Sequence, residues 1–165
     1  MRRLILGAVL TLTGLVLTGL VLTGCSDPGA GAPADVSAAP SSTATGTALY
    51  AVDSQTLDEI VIDAQGFVLY RSDRDTAAPT WSACEGQCRQ SWLPAPCESE
   101  VRVEGIDRQL VGCFDRSDGS RQLSLAGWPL YGYAGDRMPG DANGHGQSGI
   151  WFAIRPDGDT AVYVP

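Results

Sequence analysis

The chain has 165 residues, and its 19 Asp and Glu outnumber 11 basic side chains, all of them Arg, leaving a formal charge of −8 at pH 7. So acidic a surface repels phosphate backbones and anionic headgroups, which excludes nucleic acid and direct headgroup docking as partners. With 44% hydrophobic residues the chain has enough apolar side chains to fold, and its length suits one domain.

Met1-Arg2-Arg3 supplies a positive n-region and Leu4 to Leu22 an uncharged apolar run, the two parts of an export signal. The run ends in Leu22-Thr23-Gly24-Cys25, which resembles the lipobox of bacterial lipoproteins. That resemblance implies a signal peptide over 1–24, its removal, and acylation of Cys25. An uncleaved membrane-spanning helix is the competing reading, but such a helix has no use for a Cys directly after Thr23-Gly24. Two or more acyl chains hold a protein stably where one is marginal. The expected location is the extracytoplasmic face of a bacterial membrane, with the lipid on Cys25 as anchor and no other cofactor. Loss of Arg2 and Arg3 with the signal makes the mature chain more acidic still.

Residues 25–46 follow the signal with the lipidated Cys and a Ser, Pro, Ala, Gly and Thr tether. Such a composition cannot bury enough apolar surface to fold and has a mean reach of roughly 25 Å. Residues 47–165 then form one domain in which strand signals dominate. Ile60 to Ile62 and Phe67 to Tyr70 flank Asp63-Ala64-Gln65-Gly66, a hairpin with Gly closing its turn. Leu110 to Phe114 and Gln122 to Leu125 flank a second turn, and Ile150 to Ile154 with Ala161 to Val164 flank a third. Helical periodicity is confined to a short stretch near Cys84 to Trp92. The fold class is all-β: a small antiparallel sandwich or barrel-like domain.

The domain repeats internally, over about 57–97 and 120–160. Gly66, Leu69, Tyr70 and Asp75 recur at equal offsets as Gly127, Leu130, Tyr131 and Asp136, and a Trp follows each copy, Trp92 and Trp151. Two similar β units, each unable to cover its own apolar face, are expected to pack around a shared core.

Tyr131-Gly132-Tyr133-Ala134-Gly135-Asp136 matches a Tyr-x-(Phe/Trp/Tyr)-x-x-Asp signature. Leu69-Tyr70, Cys84-x-x-x-Cys88, Trp92, Pro94, Pro139-Gly140-Asp141, Gly144, Gly146, Trp151 and Pro156-Asp157-Gly158 surround it. The combination resembles two consecutive units of the lipoprotein family described as the secreted repeat of unknown function. The resemblance covers most of residues 57–160 and implies a surface lipoprotein without assigning an activity. The first copy departs from the signature at Ser72, where an aromatic is expected.

Tyr131 and Tyr133 lie two apart and share one face of a strand, with Asp136 just beyond its end. Packing, with Asp136 bonding turn amides, is the plain account. A ligand platform for a sugar or a cationic group, built from Tyr70, Asp75, Tyr131, Tyr133 and Asp136, is the functional one. Asp75 and Asp136 occupy equivalent places, so a two-fold arrangement would bring them toward one cation.

With Cys25 lipidated, Cys84, Cys88, Cys97 and Cys113 remain, an even number in an oxidising compartment, and two disulfides are expected with three pairings open. A four-Cys metal site competes, but the paired Cys-x-x-Cys knuckles usual for zinc are absent. The glycine-rich loop 139–149 spells Gly144-x-Gly146-x-x-Gly149, but before a strand, where a dinucleotide fingerprint has no helix to open. Asp141-x-Asn143 begins like a calcium loop, yet Phe152 stands at its twelfth position. Asp136, Asp141 and the sole His, His145, are weak metal candidates, and no triad or nucleophile elbow is present.

The function expected is a surface-anchored, non-enzymatic binding or envelope-organising role, with a cell-wall glycan or an envelope protein as partner. Its competitors are an accessory role in extracytoplasmic metal or electron transfer, through Asp136, Asp141, His145 or the Cys84 and Cys88 pair, and glycan recognition through the aromatic and Asp repeat.

Overall fold

The computed structural model describes residues 46–165. The signal segment, Cys25 and the tether up to residue 45 lie outside the described residues.

Strands are short and the domain is assembled from small sheets. Strand β1 (Thr47–Asp53) pairs antiparallel with β2 (Glu59–Asp63) and, on its other edge, parallel with β7 (Val101–Glu104). Strands β8 (Val111–Asp115), β9 (Arg121–Leu125) and β10 (Trp128–Pro129) form a second, antiparallel sheet in that order. Strands β4 (Thr76–Ala77) and β5 (Thr80–Trp81) make a two-stranded hairpin. The centre is a four-stranded antiparallel sheet, ordered β12 (Trp151–Ala153), β3 (Tyr70–Ser72), β11 (Tyr131–Tyr133), β6 (Trp92–Pro94). None of these sheets closes into a barrel.

The central sheet alternates the repeats strand by strand. β3 and β6 belong to the first copy, β11 and β12 to the second, and each copy's signature strand pairs with the other copy's Trp strand. Two units packed against one another around a shared core were expected; in the central sheet the copies go further and interleave strand by strand. The physical reason is strand number: each copy gives this sheet only two short strands, and a two-stranded sheet is marginal where a four-stranded one is not. Matched backbone bonds stitch the exchange: Ala95 N–H donates to Leu130 C=O at 2.9 Å and Ile154 N–H to Leu69 C=O at 3.0 Å. Ala134 N–H to Ser91 C=O and Asp73 N–H to Ile150 C=O, both 2.8 Å, repeat the relation further out.

Side-chain alternation sends neighbours to opposite faces of this sheet. Leu69, Leu130, Ala95 and Ile154 join one buried cluster with Leu49, Val61, Leu123 and Leu125. Tyr70, Tyr131, Trp92, Trp151 and Ala153 join another with Leu57, Ile60 and Val68.

The first two expected hairpins form. In the first, the Asp63 carboxylate accepts from the amides of Gln65 at 2.8 Å and Phe67 at 2.9 Å, and Gly66 takes φ +88°. Its counterpart Gly127 has φ +84°, and a Cβ there would stand 2.3 Å from the carbonyl oxygen of Ala77, so only Gly fits. The third forms as the first does, on a single bridge, Ile154 with Thr160 as Ile62 with Val68, after which its second arm turns away and Tyr163 bridges Leu57. The expected helix is a single turn, α1 (Cys88–Ser91). β1, the longest strand, and its parallel neighbour β7 were not anticipated.

Of the three open pairings, the structure selects Cys84 with Cys88 and Cys97 with Cys113. The second joins the segment after β6 to β8, closing a loop of 16 residues. A loop of that length removes about 3 kcal/mol of unfolded-chain entropy. Cys97→Ser with Cys113→Ser is therefore expected to lower unfolding free energy by about 3 kcal/mol, checked by urea denaturation against the oxidised wild type.

Candidate functional site

Where β3 and β11 meet, Tyr70 stands opposite Tyr131. Each phenol crosses to the other copy's aspartate: Tyr70 Oη donates to Asp136 Oδ2 at 2.7 Å and Tyr131 Oη to Asp75 Oδ2 at 2.8 Å. The second carboxylate oxygens are also matched. Asp75 Oδ1 accepts from the Ala83 amide at 2.8 Å and Asp136 Oδ1 from the Asn143 amide at 2.9 Å. The two carboxylates therefore do not converge on one point, as the cation reading required; each closes a loop of its own copy onto the tyrosine of the other.

Tyr70, Tyr131, Asp75 and Asp136 are all buried, and Tyr133 is partly buried. Burial raises the carboxyls of Asp75 and Asp136 above the usual range, against the lowering effect of the amide and phenol donors. Burial likewise raises both phenols well above the ordinary tyrosine value, and the carboxylate each one faces adds to this.

Around this crossing lies an aromatic cluster. The equivalent Trp92 and Trp151 stack with centroids 3.8 Å apart and planes 5° from parallel. Tyr133 stacks on Trp92 at 4.5 Å, whereas the first copy has Ser72 at that position. The first copy instead extends the hydrogen bonding around the second copy's phenol: Ser82 Oγ lies 2.6 Å from Tyr131 Oη and accepts from Arg116 Nη1 at 2.9 Å. Arg116, buried, also bonds Gln122, the Cys84 carbonyl and Glu85, so its charge is compensated within the fold.

Beside the second copy's signature strand is a cavity of about 690 Å³, within the ordinary size of small-molecule sites. Leu49, Phe67, Leu69, Leu93 and Tyr133 give it mainly apolar walls, and Asp63, Glu98 and Asp136 give it carboxylates. Among the described residues no Arg, Lys, His, Cys or Ser lines it. Of the five candidate ligand residues, Tyr133 and Asp136 thus border the cavity, while Tyr70, Tyr131 and Asp75 are enclosed in the core. Phe67, Leu93, Asp63, Glu98 and Gly132 were missed as site residues. Phe67 and Gly132 were accessible to sequence comparison, since both stand at aligned positions where the copies differ.

The metal candidates turn to separate partners. Asp141 Oδ2 accepts from the amides of Arg137 at 2.8 Å and Met138 at 3.0 Å. His145 Nδ1 accepts from the Ala153 amide at 3.3 Å, and its ring meets Phe152 and Tyr163 edge-on. Burial lowers the His145 pKa, opposed by Asp58. Among the described residues no three of His, Cys, Asp and Glu are grouped to hold a metal ion.

Two pH effects follow from the crossed pairs. Raised phenols contribute stability that is complete below the unfolded pKa of about 10 and is lost as pH climbs through the folded value. Of the five tyrosines, Tyr70 and Tyr131 are expected to stay un-ionised past pH 11 until unfolding, read as missing phenolate absorbance that Tyr70→Phe reduces by one residue. Raised carboxyls contribute stability that is complete below about pH 3.9 and is lost as pH rises through their folded values. The stability difference between wild type and Asp75→Asn is therefore expected to move in favour of wild type as pH falls from 7 to 4, measured by urea denaturation.

No curated protein and no solved structure matches the chain. The family described as the secreted repeat of unknown function matches twice, at residues 51–95 and 112–155. Those two spans begin on β1 and just inside β8, close on Ala95 and just beyond Ile154, and so coincide with the interleaved copies. The chain belongs to the family of the secreted repeat of unknown function, of which it carries two copies.

Proposed function

We propose that this exported protein is lipid-anchored through Cys25 on the extracytoplasmic face of a bacterial membrane, and that it binds a small ligand there without transforming it. The cavity beside Tyr133 carries the binding part of this reading. It is of ligand size, its walls are mainly apolar, and a few carboxylates give it polarity. Among the described residues its lining holds no Ser, Cys, His or Lys, so the commonest side-chain nucleophiles and the imidazole base are missing, which supports binding over turnover. Asp136 is committed to Tyr70 and Asn143, which favours a structural duty for that carboxylate. Anchoring rests on Leu22-Thr23-Gly24-Cys25 after an apolar signal. Glycan recognition draws less support, because Tyr70 and Tyr131 do not present their ring faces.

Two measurements check the reading. Cys25→Ala is expected to leave the membrane fraction or to retain its signal, and normal processing with full membrane retention would remove the anchor. Native mass spectrometry of protein incubated with an envelope extract is expected to show a bound small molecule that is recovered chemically unchanged. Recovery of an altered molecule would establish turnover instead.

A further inference from the structure

The two copies are an internal control for each other, and they differ at the centre of the signature. Arg71 on β3 pairs with Phe152 on β12; at the matching place Gly132 on β11 pairs with Leu93 on β6. In the first copy the Arg71 side chain is buried, with its guanidinium carbon 3.4 Å from the ring centroid of Trp128. Its Nη1 donates to the Gly158 carbonyl at 3.2 Å and its Nη2 meets Asp73 at 3.0 Å. A guanidinium over an aromatic face is a cation–π contact, strongest where water is excluded.

The second copy repeats the surroundings and leaves out the cation. Phe67 follows Gly66 as Trp128 follows Gly127, so Phe67 is the aromatic counterpart, and it lines the cavity together with Gly132. A Cβ built on Gly132 meets nothing within 4 Å, and its φ lies outside the left-handed region, so no backbone demand explains the glycine. Ala134 stands where the first copy has Asp73, but Asp63 and Glu98 bring carboxylates to the same space, and no basic residue among the described ones lines it to offset them. The tether does not supply a cation either, since residues 26–45 contain no Arg, Lys or His.

We propose that the cavity beside Gly132 is a binding site for an organic cation with an apolar body. Its guanidinium or ammonium head takes the place beside Phe67 that Arg71 takes over Trp128. Its body lies along Leu49, Leu69 and Leu93, and the carboxylates balance its charge. Anions are refused, because the lining carboxylates repel them and no described residue that lines the space is positively charged. This inference rests on the binding reading above and adds the ligand class to it.

Calorimetric titration of the full chain in nanodiscs, with empty nanodiscs as blank, separates the two. The probes share one body and differ in head: 4-phenylbutylguanidinium, 4-phenylbutanol and 4-phenylbutanoate. The guanidinium is expected to bind saturably at one per chain and at least tenfold more tightly than the alcohol, and the carboxylate not to bind. Gly132→Arg, which restores the first copy's arrangement, is expected to abolish binding of the guanidinium while the melting temperature holds or rises. Gly132→Leu fills the same space without charge and is expected to block binding too, so the location stays testable should the Arg variant not fold. Equal affinity for alcohol and guanidinium would overturn the cation class while leaving a binding cavity. Unchanged binding by a folded Gly132→Leu would overturn the location. No binding by any of the three probes would overturn the ligand class, whereas the envelope-extract measurement decides the binding reading itself.

Discussion

Everything in the domain is arranged around the crossed pair of hydrogen bonds in which Tyr70 donates to Asp136 and Tyr131 to Asp75. Each bond joins a strand of one copy to a loop of the other, so neither copy can satisfy its buried polar groups alone. A buried carboxylate left without its donor costs about 1 to 3 kcal/mol, more when charged. That asymmetry makes the exchange a constraint on the whole fold: the copies are held interleaved because separating them would strand four buried polar groups at once. The stacked Trp92 and Trp151, and the matched backbone bonds at Ala95 and Ile154, fall into place on either side of it.

The crossing also explains why the signature is what it is. Tyr brings a large apolar ring to a core with one polar atom at its tip, and Asp, at the same offset in each copy, reaches both that tip and a backbone amide seven or eight residues on. The signature residues that look most like chemistry are therefore occupied with architecture. What distinguishes the copies is found around them. The first has Ser72 and a buried Arg71; the second has Tyr133 and Gly132. Arg71 and Gly132 lie on the same face of the sheet, where Arg71 fills its place and Gly132 leaves its own open, and the cavity lies beside Gly132. A duplicated unit can in this way keep its fold through the shared positions and acquire a site through the unshared ones.

Much of the fold was legible in residue order. Alternating apolar residues around Asp63-Ala64-Gln65-Gly66 and Asp115 to Gly119 marked the first two hairpins, and the recurring Gly, Leu, Tyr and Asp marked the repeat. β1 escaped because Thr47-Ala48 reads as a continuation of the tether, and β7 because its Val101 and Val103 are separated by Arg and flanked by Glu. Their pairing is parallel and spans about fifty residues, beyond what local turn chemistry encodes. The disulfide partners were equally beyond reach, since an even number of cysteines fixes how many bridges form and not which.

The sequence by itself determined that the chain carries a twice-repeated antiparallel β domain, and it is the sole ground for expecting a signal peptide over residues 1–24 and a tether over 25–46. Each of these is written in local composition, turn residues or periodicity, where near neighbours in the chain decide. Only the tertiary structure decided that the copies interleave, that each tyrosine bonds the other copy's aspartate, and that Gly132 opens a cavity where Arg71 closes one. Those outcomes depend on which long-range partners meet across the central sheet. That is set by burying every polar group with a partner, a condition that no single stretch of sequence can express.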